Sequence, residues 1–107
     1  MKVTKMATIT KLKKEFVEEY ISLHNNIWDE VVSLGHQAGL RNFTIYRHGL
    51  YLFSTFEYVG DDYSKDMAWK NSHEIIKKWQ ASTGKCMDYV VDGIKSINLE
   101  EIFFNEF

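Results

Sequence analysis

Apolar residues recur at steps of three and four in Phe16, Tyr20, Leu23, Ile27, Val31 and Leu34. That is the stripe of an amphipathic helix lying on a core, and it predicts a helix from about Glu15 to Leu34. Asn25-Asn26 are poor helix formers that loosen or break its middle, and Gly35 and Gly39 end it. Ahead of it, Val3 to Leu12 is rich in β-branched residues and reads as a strand. After it, Leu40 to Arg47 alternates, with Phe43 and Ile45 on one face and Asn42, Thr44 and Tyr46 on the other. A second such run, Tyr51 to Val59, follows His48-Gly49, so the two predict a hairpin with His48 in its turn.

Gly60-Asp61-Asp62 supplies a break and an N-cap, and Tyr63 to Ser82 is helical by composition. Within it, Asn71-x-x-Glu74 has the form of a capping box that starts a second helix, and Ala68, Ser72, Ile75, Ile76 and Trp79 share a face. Thr83-Gly84 stops this helix, Lys85 to Lys95 lacks a period and reads as a loop, and Ile97 to Phe104 returns to strand character. Strand, helix, strand, strand, helix, strand is the split βαβ order of ferredoxin-like α+β folds, with helices on one face of a four-stranded antiparallel sheet. The other face carries too many aromatics to stay wet, and a symmetric dimer would cover it.

Length and charge narrow the function. The 107 residues make one domain, 1–107, with 45% apolar and 15% aromatic residues and a formal net charge of -2. The basic residues are scattered, which argues against nucleic-acid binding, and no apolar run is long enough for a membrane span. Met1 to Thr10 lacks the apolar block of a signal peptide and Cys86 is alone, so a cytoplasmic protein is expected. His24, His36, His48 and His73 are far apart, without partners at metal-ligand spacing, and no metal is expected.

Tyr20, His24 and Trp28 form an i, i+4, i+8 series drifting off the edge of the apolar stripe. Amphipathic side chains commonly border a core with their polar tips in water. The combination of an imidazole that titrates near neutral pH with two flat rings also suits a polar ligand. On periodicity alone the two readings stand level.

Tyr20-x-x-x-His24-Asn25-x-Ile27-Trp28, the hairpin entry Asn42-Phe43-x-Ile45-Tyr46, Trp79 and the ending Leu99-Glu100-Glu101-Ile102-Phe103 together resemble the L-rhamnose mutarotase family, in matching order over nearly the whole chain. The resemblance implies a dimeric ferredoxin-like α/β barrel that interconverts the α and β anomers of a 6-deoxy sugar without cofactor or metal. It implies that His24 is the proton donor, that Tyr20 binds substrate, and that Phe43, Lys78 and Trp79 occupy sugar-contacting positions. Asn25, Trp28 and Tyr46 are further candidates for the pocket. The chain departs from the family where Asn26 replaces a Pro, Phe43 a Tyr and Lys78 the first of two Trp. The competing readings are another dimeric ferredoxin-like protein, of cofactorless monooxygenase or haem-binding type, and a sugar-binding module without turnover.

Overall fold

The computed structural model describes residues 2–106. Three long strands carry the sheet: β1 (Thr4–Leu12), β2 (Leu40–His48) and β3 (Tyr51–Tyr58). β3 pairs antiparallel with both of the others, giving the order β2-β3-β1. The fourth position, along the free edge of β1, is filled by two short pieces, β4 (Met87–Asp88) against Lys11 and Leu12, and β5 (Ser96–Asn98) against Thr8 to Thr10. Residues 89–95 bulge out between them around a Val91–Ile94 bridge. The expected loop over Lys85 to Lys95 therefore contains a strand fragment. The expected strand over Ile97 to Phe104 is mostly not one: ladder pairing ends at Asn98, apart from Leu99 N–H donating to Ala7 O at 2.8 Å, and Ile102 and Phe103 are 88% and 78% exposed. Apolarity alone made that tail look like a strand; within one chain no neighbouring strand takes up its backbone groups.

Each predicted long helix is two. A 3₁₀ turn (Lys14–Phe16) leads into α1 (Val17–Asn25), and α2 (Asp29–Gln37) follows after a break at residues 26–28. Asn26 causes the break in the way its chemistry allows: its Nδ2 donates to Ser22 O at 2.9 Å, and its own backbone leaves the helical region. Trp28 is extended and caps α2 rather than continuing α1, and Ile27 falls in the break, outside the stripe. Gly35 lies inside α2; the terminator is Gly39, at φ 97, just beyond the C-cap Ala38.

In the second half, Asp62 caps α3 (Tyr63–Asn71) by accepting from Lys65 N–H at 3.1 Å, as expected. The capping box does not form. Asn71 is the last residue of α3 and its Oδ1 accepts from Gln80 Nε2, while α4 (Glu74–Gly84) is capped by His73 without a side-chain bond. The His73 Nδ1 is already engaged with the carbonyls of Trp69 and Lys70, the last turn of α3. With the helix interrupted there, Ala68 and Ser72 are exposed, and only the α4 part of the expected stripe, centred on buried Ile76, packs inward.

The helices cover one face of the sheet. Leu12, Leu52 and Cys86 are fully buried there, with Phe16, Val17, Tyr20, Leu23, Ile45 and Met87 packed around them. At the other end of the same face Tyr58 is 3% exposed, and its hydroxyl donates to Asp66 of α3 while accepting from Asp62 N–H at 3.0 Å. Burial, aided by Asp66, pushes this phenol up to about 12. Two glycines clasp the ring: a Cβ at Gly39 would stand 3.0 Å from Tyr58 Cε1, and one at Gly60 would collide with the Tyr58 hydroxyl and the Asp66 carboxylate. The opposite face of the sheet is open. Tyr46, Phe53, Ile9 and Ile97 are successive cross-strand partners on it, and Tyr46 and Phe53 are 63% and 36% exposed.

Candidate active site

α1 delivers Tyr20 and His24 one turn apart on the flank that borders the core, with ring centroids 4.4 Å from each other. The break after Asn25 turns the chain so that Trp28, though outside α1, returns beside them. Trp79 of α4 then closes the group edge-on, 5.2 Å from His24 and 5.3 Å from Trp28. The rings of Tyr20 and Trp79 thus flank one imidazole, with Trp28 set against Trp79, and all four side chains are half-buried. The i+8 spacing placed Trp28 correctly near the group for the wrong reason: it arrives through a break, not along a continuous helix.

The imidazole is held in one tautomer. His24 Nδ1 lies 3.0 Å from the backbone carbonyl of Tyr20, which can only accept, so Nδ1 carries the proton and donates it. Nε2 is left as the open ring nitrogen, able to accept a hydrogen bond or a proton from a ligand. The Tyr20 phenol is pushed up to about 12, chiefly by burial and secondarily by Cys86, so it stays neutral at physiological pH. Its hydroxyl has no hydrogen-bond partner among the described residues, yet no buried side-chain oxygen there lacks one, so it retains contact with open space. It can donate to a ligand or accept from one. Tyr20→Phe removes that hydroxyl alone and is expected to lower catalysed exchange about 3- to 10-fold, the value of one neutral hydrogen bond, with the thermal midpoint unchanged. A saturation-transfer measurement beside a melting curve checks both.

Not every candidate reaches this group. Phe43 shares the helix-side face with Ile45, but it stacks on Phe56 at 5.4 Å and is 56% exposed beside a bulge where Asn42 has φ 54. Tyr46, one residue on from Ile45, points to the opposite face, so it cannot line the His24 pocket of its own chain. Asn25 is exposed at the end of α1. Lys78 turns away from its neighbour Trp79 and lines an open groove of about 520 Å³ between α2 and α4, with Glu30, Gln37 and Glu74. That groove, and a second of about 380 Å³ under the C-terminal tail, lie away from His24. Cys86 is fully buried beside Glu19, and burial pushes its thiol up, so it offers no nucleophile. Among the described residues no group of three metal-ligating side chains occurs. The register turns Thr8, Thr10 and Ser54 to the same face of the sheet as buried Leu12 and Leu52, a placement that the sequence pattern did not indicate.

The L-rhamnose mutarotase family model matches residues 5–104. The chain belongs to the L-rhamnose mutarotase family. One member, the L-rhamnose mutarotase of Formosa agariphila, is 30% identical over 105 residues, 95% of this chain and 98% of the relative. A crystal structure of an L-rhamnose mutarotase from the same organism superposes with a TM-score of 0.76 at 28% identity, covering 96% of this chain and 99% of the other. A dimeric ferredoxin-like protein from an uncultured marine organism superposes with a TM-score of 0.67 at 14% identity, over 100% of this chain and 92% of its own, and shares the fold alone. The ferredoxin-like α+β class expected from the order of elements is thereby confirmed, and the mutarotase family implied by the Tyr20 to Trp28 segment is this chain's own.

Proposed function

We propose that the chain is an L-rhamnose mutarotase in which His24 moves the proton. The observation that carries this is the His24 ring fixed through Nδ1 to the Tyr20 carbonyl and packed against the rings of Tyr20 and Trp79, with Nε2 unbonded among the described residues. Opening a pyranose requires a proton on the ring oxygen and loss of the anomeric hydroxyl proton; closure on the other face of the aldehyde reverses both transfers. Protonated Nε2 supplies the first, and the same atom recovers it on closure. Tyr20 is too weak an acid to ionise and serves to orient a sugar hydroxyl. A water molecule takes up the anomeric proton, since no second base adjoins His24 among its ring neighbours. Trp28 and Trp79 present flat apolar surfaces to the C–H groups and methyl of a 6-deoxy sugar.

The test is a saturation-transfer NMR survey of anomer exchange over L-rhamnose, L-fucose and other aldoses. Accelerated exchange of L-rhamnose is expected; acceleration of none of them would refute the assignment.

The same reading makes the protein a cytoplasmic homodimer. Its support is the row Tyr46, Phe53, Ile9 and Ile97 across the uncovered sheet face, together with the exposed Ile102-Phe103 tail. The single Cys86 thiol fits a reducing compartment. Light scattering at micromolar concentration is expected to give twice the chain mass of 12.6 kDa, and a monomeric mass would contradict the dimer.

A further inference from the structure

The aromatic rings form only the helix side of the site; the sheet beneath it is lined by hydroxyls. Strand register puts Thr4, Met6, Thr8, Thr10 and Leu12 of β1 on the helix-facing side, level with Tyr58, Phe56, Ser54 and Leu52 of β3. Both ends of these rows are the apolar contacts already described, but the middle is Thr8 directly opposite Ser54, with Thr10 one pleat away. Tyr20 and Leu23 pack against the cluster of Leu12, Leu52 and Cys86, and Ser54 is the next helix-facing residue of β3 after Leu52. Ser54 also lies directly opposite Ile45, another residue packed against that cluster. The Thr8–Ser54 pair therefore borders the apolar cluster on which Tyr20 is seated.

Ser54 is 9% exposed, and neither its hydroxyl nor that of Thr8 has a hydrogen-bond partner among the described residues. No buried side-chain oxygen there is without a partner, so the Ser54 Oγ opens on free space despite the burial of its residue. Unpaired hydroxyls facing an apolar layer are unfavourable unless something bonds them, and Ala or Val would serve a purely structural strand better.

We propose that Thr8 and Ser54 are specificity-determining residues that bind sugar hydroxyls on the side of the ring remote from the anomeric carbon. The proposal rests on the mutarotase reading of the His24 site. With His24 engaging the reacting end, the paired hydroxyls give the sheet side of the pocket donors and acceptors matched to vicinal ring hydroxyls. A pocket built this way rejects sugars that leave its hydroxyls unpaired.

Thr8→Val and Ser54→Ala are assayed in the full chain by saturation transfer, on L-rhamnose and on derivatives lacking its 3- or its 4-hydroxyl. Each substitution is expected to raise KM for L-rhamnose about 3- to 10-fold with kcat little changed, and to have no effect on the derivative missing the contacted hydroxyl. An unchanged KM in both variants, or an equal rise on all three sugars, overturns the proposal and makes the hydroxyls packing. Should a variant fail to fold, the wild-type protein decides: KM rises by the same factor on one derivative if the contact exists, and stays level on both if it does not. Wild-type protein that leaves L-rhamnose exchange at the background rate defeats the mutarotase reading itself, a result separate from any variant.

Discussion

His24→Ala should reduce catalysed anomer exchange of L-rhamnose by about 10²- to 10⁴-fold, down toward the rate in buffer. The expectation follows from the fixed tautomer. Nδ1 is committed to the Tyr20 carbonyl, so Nε2 is the only ring atom left to exchange a proton with the sugar, and Ala supplies nothing in its place. Loss of fold is not the cause, because His24 is half-buried at the margin of the core and Ala is a better helix former. What the variant forfeits in packing is two ring contacts, a tilted one with Tyr20 and an edge-on one with Trp79, each worth about 0.5–1.5 kcal/mol beyond the area it buries. Saturation-transfer rates and a thermal melt on the same sample separate the two effects. Exchange at the wild-type rate in a folded His24→Ala protein would take His24 out of the mechanism.

Leu52→Ala is the substitution expected to cost most in stability, about 2–5 kcal/mol. Leu52 is 2% exposed, on the central strand β3, and it touches the residues that seat α1 on the sheet. Truncation leaves a cavity in the cluster against which Tyr20 and Leu23 pack, so the damage should reach the site as well as the melting curve. The denaturation midpoint is expected to fall steeply, and the residual folded protein should show a raised KM, since Tyr20 loses the floor that holds its ring. A variant with wild-type stability would mean that the helices do not depend on this contact.

These two positions also show where the sequence was informative. The hairpin was readable because Leu40 to Arg47 alternates with period two, Tyr51 to Val59 carries aromatic and β-branched residues, and the turn between them is marked by Gly49, at φ 60. Tyr20, His24 and Trp79 were singled out through the resemblance, the helical spacing of the first two agreed with it, and the structure brings the three rings together. The breaks in both helices were anticipated near Asn25 and Asn71, but their exact caps were not, because His73 spends its side chain on the preceding helix instead of the following one. The fourth strand position was unreadable for a different reason. Two fragments of two and three residues, parted by 89–95, are too short to display any period, while the tail beyond them looks like a strand through its apolarity alone. Thr8 and Ser54 were missed because a polar residue in a strand is ordinarily assigned to the solvent face; only the observed register turns them inward.

The clasp around Tyr58 bears on how this sequence can drift. Gly39 and Gly60 are far apart in the chain and lie in different loops, yet each is kept small by the same phenol ring, and Gly39 also by its left-handed backbone. A side chain at position 60 becomes admissible only after position 58 has lost the tip of its ring together with the hydroxyl, and that loss would release Asp66 and the N–H of Asp62 at the head of α3. The order of acceptable changes is therefore constrained: position 58 must move first, and with it the tie between β3 and α3, so in related sequences a residue other than glycine at 60 should accompany a residue smaller than Tyr or Phe at 58 and a residue other than Asp at 66.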